Sequence, residues 1–358
     1  RCVIFTTAIA QLFMNFKQTN NLVTGCAGFI GSKITELLLE RGDIVVGVDN
    51  LNDAYPRPLK EWRLAQIQRF PAFEFEQQDI THLDAMKELF QQHDFDAVMN
   101  LAARAGVRAS VENPWVYIET NIKGTLNLLE LCKDFGVKKF LLASTSSIYG
   151  VGAGVSASPM SRFSGSRSTG PFREDQKTDF QLSPYAASKK GAESLAYTYH
   201  YLYGIDITIP RYFTVFGPAG RPDMSIFKFI HRIAEGLPIP VYGDGTQERD
   251  FTYIDDIARG SIAALKPLGF EVINLGSDRP VKLNYVINLI EQFLGKKAKI
   301  EFQPRHPADV LATWADISRA KELLGWRPLV AIEEGIQNTV AWYLENREWV
   351  RNVETLER

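Results

Sequence analysis

Asn21-Leu22-Val23-Thr24-Gly25-Cys26-Ala27-Gly28-Phe29-Ile30-Gly31 is a short apolar run that breaks into three glycines spaced G-x-x-G-x-x-G. The run reads as a buried strand, and the residues after it, Ser32 to Arg41, carry apolar side chains at helical period before Gly42 ends the helix. Glycine at these points lets the backbone turn tightly and approach a pyrophosphate. That group then rests on the positive end of the following helix. Ile44-Val45-Val46-Gly47-Val48 is the next strand, and it ends at Asp49. An acid in that place accepts hydrogen bonds from a ribose diol, which selects NAD over its 2′-phosphorylated relative; the plainer alternative is a strand-end turn residue.

Outward from this unit, strand and helix keep alternating. A strand around Phe73-Glu74-Phe75 leads to Asp79-Ile80, and Asp96 to Ala103 forms another. The small ending of the latter, Leu101-Ala102-Ala103, leaves room for a flat ring. Pro114 opens a long helix through Asn121 to Cys132. Lys138 to Ser144 is a strand delivering Thr145-Ser146-Ser147 at its carboxyl end, and Ile205 to Phe213 is a further one. The pattern implies an α/β fold, a doubly wound parallel sheet of the Rossmann type with ligands over the strand C-termini.

Residues 14–212 then form the nucleotide-binding domain and 213–350 a smaller α/β lobe, with 251–275 partly returning to the first. Helices are expected at 284–294, 316–324 and 332–346. Residues 151–172 are poor in core formers and read as a mobile surface insertion. Residues 1–13 are apolar and read as an upstream extension, since Met14 stands where a natural start would lie.

The totals narrow the function. The chain has 358 residues, 45% hydrophobic, with a net charge of −2. No broad basic surface exists to hold nucleic acid, so an anionic ligand must be met by a few placed arginines. No apolar run reaches the length of a membrane span. Cys2, Cys26 and Cys132 show neither metal-ligand spacing nor a disulfide framework, which points to reduced cytoplasm and to no metal site.

The second informative stretch is Ser183-Pro184-Tyr185-Ala186-Ala187-Ser188-Lys189. Ser183 suits an N-cap and Pro184 the first helical position, so Tyr185 and Lys189 share one helix face. A phenol beside an ammonium group is an acid/base device, because positive charge favours the phenolate. The plainer alternative is an aromatic packed on a lysine stem. The same helix carries Tyr197, Tyr199, Tyr201 and Tyr203, apolar on more than one face, which suggests a partner subunit.

Together the glycine motif, the Tyr185/Lys189 pair and the hydroxyl residues before Gly150 resemble the nucleotide-sugar-modifying branch of the extended short-chain dehydrogenase/reductase superfamily, over about residues 20–345. The resemblance implies bound NAD+ and oxidation of a sugar C4 hydroxyl. It makes Tyr185 the base, Lys189 the group that lowers its pKa and holds the nicotinamide ribose, and Thr145 the hydrogen-bond partner of the C4 oxygen. Cofactor contacts are implied at Gly25, Gly28, Phe29, Ile30, Gly31, Asp49, Asn50, Asp79, Ile80, Leu101, Ala102, Ala103, Asn121 and Tyr212.

Relatives that dehydrate the sugar carry Thr-Asp-Glu where Thr145-Ser146-Ser147 stand, and those that decarboxylate it tend to carry Thr-Ser-Glu. With both acids absent, a 4-keto intermediate can only regain its hydrogen, which implies a 4-epimerase. The segment Phe213 to Met224 looks like that of UDP-glucuronate 4-epimerases, with Ser146, Ser147, Thr214 and Arg221 at the sugar and Arg249, Arg305 and Asp309 at the diphosphate and uridine. A homodimer through the helices at 114–135 and 185–203 is implied too. Arg104 departs from the glutamine usual in close relatives. A 4-epimerase of a neutral UDP-hexose, with Arg221 structural, and a non-catalytic NAD-binding regulator are the competing readings.

Overall fold

The structure is a computed structural model that describes residues 18–150, 171–304 and 312–355. Neighbouring side chains of its first strand, β1 (Asn20–Thr24), are buried on opposite faces. Leu22 packs with Val46, Val98, Phe140 and Ile207, whereas Val23 packs with Val45, Met99, Leu141 and Ile34. A period of two with apolar residues on both sides is the signature of a sheet covered twice.

The sheet continues through β2 (Ile44–Val48), β3 (Phe73–Glu76), β4 (Ala97–Asn100), β5 (Lys139–Leu142), a short β6 (Ser144–Thr145) and β7 (Asp206–Tyr212). Beyond these come β8 (Thr214–Phe216), β9 (Pro238–Tyr242), β10 (Glu248–Tyr253) and β11 (Phe270–Leu275). The order across the sheet is β11-β7-β5-β4-β1-β2-β3, all parallel, with β6 paired to β7. The reversal between β1 and β4 is the switch point where such sheets take their ligands. The doubly wound parallel sheet expected from the sequence is borne out.

The smaller lobe is built from β8, β9 and β10 with β12 (Pro280–Lys282), β13 (Lys299–Gln303) and β14 (Ala312–Thr313), and with the helices Ser225–Ala234, Leu283–Leu294 and Ile332–Glu345. Its own core is aromatic, with Phe216, Phe227, Phe251, Trp342 and Tyr343 buried together.

Four local features differ from the sequence expectation. A helix at Arg57–Ile67, not expected from the sequence although Pro58 stands in its first turn, lies between β2 and β3. The helix opened by Pro114 is not uniform: Ile118–Lys123 is a π-turn that precedes the regular Gly124–Phe135. The π-turn presents Asn121, which exchanges hydrogen bonds with the Arg104 backbone (Arg104 N to Oδ1 2.8 Å, Nδ2 to Arg104 O 3.0 Å) and donates to Ser188 Oγ at 2.9 Å. The strand around residue 140 is interrupted at Ala143, which frees a carbonyl discussed below. Finally, the insertion read over 151–172 extends too far: Phe172 is buried, stacks on Tyr149 at 5.0 Å and bridges Ala315. Its backbone joins Trp314 and Asp316, so it belongs to the core.

Candidate active site

The glycine turn is shaped for a close approach. Gly25 has φ +71°, and a Cβ there would stand 2.8 Å from the Ala102 nitrogen. A Cβ on Gly31 would run into the Gly25 carbonyl oxygen. Val48 O accepts from Gly25 N at 2.6 Å, Gly25 O accepts from Gly28 N at 2.9 Å, and the helix Phe29–Glu40 starts with no side-chain cap. The free N–H groups of its first turn therefore point out of the cradle, as a diphosphate requires. The Asp49 carboxylate sits behind this turn, accepting from Ala27 N (3.2 Å) and Leu51 N (2.8 Å) with Lys60 Nζ 3.8 Å away. The glycine cradle fits NAD, whereas Asp49 is buried with its carboxylate engaged within the turn.

In front of the turn opens a cleft of about 810 Å³. Of the residues proposed from sequence for the cofactor, Gly25, Gly28, Phe29, Ile30, Gly31, Leu101, Ala103 and Tyr212 line it. So do Thr145, Tyr185 and Lys189, and the sugar-site candidates Ser146, Ser147, Thr214 and Arg221. The rest stand apart from it. Asn50 donates to Asp79 at 2.6 Å beyond the β2 end, Ile80 is core, Ala102 contributes its backbone N–H to Thr24 Oγ1, and Asn121 acts on the Arg104 loop as described. Tyr212 turns its hydroxyl away to Ser261 Oγ at 2.8 Å. Arg249 lies on β10, with its guanidinium donating to Glu248 O, outside the cleft wall. Arg305 and Asp309 lie outside the described residues.

The helix Pro184–Tyr203 begins as its sequence dictates, with Ser183 Oγ accepting from Ala186 N at 3.2 Å. Tyr185 is half-buried, its ring edge-to-face with Tyr117 at 6.1 Å. Burial raises its phenol above the ordinary value, opposed by a hydrogen bond with Thr145 and by the charge of Arg221. Lys189 follows one helical turn later on the same face as Tyr185. Its Nζ donates to Ala143 O at 2.9 Å, and burial lowers its pKa to about 8 against the opposing charge of Glu193. The break between β5 and β6 is what makes that carbonyl available.

Arg221 is held in a fork by Asp223, donating from Nε at 3.1 Å and Nη2 at 2.5 Å. Burial disfavours its charge, but Asp223 outweighs this and holds the pKa above the usual value. Asp223 escaped the sequence reading, although a carboxylate two residues after the arginine was the available signal. Three acids line the cleft among the described residues, Asp53, Glu112 and Asp223; the first two are exposed and the third is engaged. No group of His, Cys, Asp and Glu fit for a metal occurs among the described residues. Cys26 and Cys132 are buried, with thiols pushed up by desolvation, as inert core cysteines are.

Arg63, also unforeseen, joins the cofactor turn to the smaller lobe. It donates from Nη1 to Ala27 O (3.3 Å) and Tyr55 Oη (2.8 Å), and from Nε and Nη2 to Ala219 O (2.9 and 2.6 Å). Ala219, at φ +53°, is the turn that presents Arg221.

The chain is 59% identical to a UDP-glucuronate 4-epimerase of Thermodesulfobacterium geofontis over 333 residues, 93% of this chain and 98% of the relative. Its structure is similar to that of a UDP-glucuronic acid 4-epimerase from Bacillus cereus in complex with UDP-glucuronic acid and NAD, with TM-score 0.82, 37% identity, and 91% and 99% of the two chains covered. It also resembles a UDP-glucose 4-epimerase from Thermotoga maritima with UDP-glucose, with TM-score 0.81, 32% identity, and 92% and 99% covered. Residues 21–276 match the NAD dependent epimerase/dehydratase family, and the chain belongs to it.

Proposed function

We propose that this chain inverts C4 of UDP-glucuronate to give UDP-galacturonate, using NAD held by the glycine turn and Asp49. One observation carries the reading: the cleft joins a phenol base to a preorganised arginine, and of the three acids lining it among the described residues Asp53 and Glu112 are exposed and Asp223 is paired with that arginine. Tyr185 accepts the proton of the C4 hydroxyl, and Thr145 holds both the phenol and the C4 oxygen. Bound NAD supplies the hydride acceptor and a cationic ring that favours the phenolate. Elimination needs a base at C5, and Asp223 is tied up by Arg221. The 4-keto sugar therefore regains hydrogen at C4, and return to the opposite face inverts that carbon.

Arg221, with Thr214 and Ser146, takes the C6 carboxylate through charge-assisted hydrogen bonds. A β-keto acid loses CO2 when its C5–C6 bond stands perpendicular to the carbonyl, so a carboxylate held near the carbonyl plane is protected. Purified protein with no NAD added should convert UDP-glucuronate to a mixture with UDP-galacturonate and release no CO2; steady UDP-xylose formation would overturn the reading. The likeness to a UDP-glucose 4-epimerase, with Arg221 already paired to Asp223, supports a neutral UDP-hexose as second reading. Competition between the two sugars in one assay separates them.

The protein works as a homodimer in this reading. Val111, Trp115, Ile118, Tyr197, Tyr201 and Leu202, on the segment 107–123 and the helix Pro184–Tyr203, are exposed, with Trp115 at 79% and Tyr201 at 75%. A second copy of this chain covers them. No helix among the described residues is long and apolar enough to cross a membrane, and two buried free cysteines support a reducing cytoplasm.

A further inference from the structure

Three residues of the helix Pro184–Tyr203, spaced four apart, meet three consecutive residues of the strand segment that ends at the catalytic threonine. Tyr185 meets the Thr145 hydroxyl, Lys189 Nζ meets the Ala143 carbonyl, and Glu193 Oε1 accepts from Ser144 Oγ at 2.6 Å. Glu193 is 4% exposed and is further fixed by Arg211, which donates from Nε at 3.0 Å and from Nη2 at 2.8 Å. A carboxylate is costly to bury, and a buried ion pair adds little net stability, so its presence one turn below the catalytic pair calls for another purpose.

We propose that Glu193 is a positioning residue for the reaction: it keeps the Lys189 ammonium charged and seats it against Ala143, so that the Tyr185 phenol faces a fixed cation. The inference rests on the epimerase reading above. Lys189 is packed among few charges. Its own helix supplies Tyr185, Lys190 and Glu193, β7 supplies Arg211, and the turn after β6 supplies Tyr149, over whose ring the Arg211 guanidinium lies at 4.9 Å. Arg211 is committed to Glu193, and its Nη1 has no hydrogen-bond partner among the described residues. Glu193 is the one anion in this set, and burial already draws Lys189 down to about 8 against it. Removing the anion leaves desolvation and Arg211 unopposed, and Lys189 sheds its proton at lower pH.

The test compares holoenzyme pH profiles of kcat for wild type, E193Q and E193D, on whichever UDP-sugar the wild type turns over. Failure of the substrate assignment is thereby separate from failure of this inference. In E193Q the alkaline limb should move to lower pH by about one unit, the scale of one nearby buried charge, with KM at acid pH and NAD content unchanged. E193D keeps the charge and should return the limb toward wild type. Should E193Q not fold, E193Q/R211M removes both charges of the pair and is expected to move the limb in the same direction by less, because the repulsion from Arg211 is lost with the anion. An alkaline limb that stays in place in the folded glutamine variant, or one that moves equally in E193D, would overturn the proposal and leave Glu193 a structural partner of Arg211.

Discussion

Tyr185 carries the heaviest demand on a single side chain, because burial pushes its phenol up while turnover requires it to give up a proton. Tyr185→Phe should lower turnover by roughly 10²–10⁴-fold, the usual worth of a positioned acid/base group. NAD content, read by absorbance after denaturation, should be unchanged; full activity would remove Tyr185 as the base. Arg221→Ala should raise KM for UDP-glucuronate about 30-fold, equivalent to about 2 kcal/mol for a charge-assisted contact. UDP-glucose should lose far less, and equal losses would make the Arg221–Asp223 fork purely structural. The residues seen in the sequence were those whose type announces chemistry at a fixed spacing: glycines at a turn, a tyrosine and lysine one helical turn apart. Glu193 and Asp223 were missed although each stands within four residues of a recognised one. Their roles depend on partners 18 and 2 residues away, Arg211 and Arg221, and only folding shows that these pairs close.

Elements were legible where hydrophobic period was strong and illegible where the backbone departs from ideal geometry. The parallel strands of the first half announced themselves as apolar runs, but the π-turn at Ile118–Lys123 and the interruption at Ala143 did not. Both are irregular hydrogen-bonding patterns with no side-chain signature, and both serve the site: the first aims Asn121, the second frees the carbonyl that anchors Lys189. The glycine turn is the opposite case, since its geometry is dictated by the lack of a Cβ. Gly31→Ala should push the start of the helix Phe29–Glu40 off the Gly25 carbonyl and cut the NAD content of purified protein roughly tenfold or more. Undiminished cofactor in a folded variant would show that the diphosphate lies elsewhere.

At the scale of the whole molecule, the exposed Trp115 and Tyr201 and their apolar neighbours depart from an ordinary monomer surface. If the proposed homodimer uses these faces, W115E/Y201E should lower the sedimentation coefficient to that of a monomer, and an unchanged coefficient would overturn this interface. The other long-range feature is Arg63, whose guanidinium ties Ala27 of the glycine turn to Ala219 of the smaller lobe across more than half the chain. Such a clasp makes departure of the nucleotide and loosening of the smaller lobe a single event. NAD release, read by absorbance of the filtrate, and tryptophan fluorescence should then share one urea midpoint in the wild type, and separate into two in Arg63→Met.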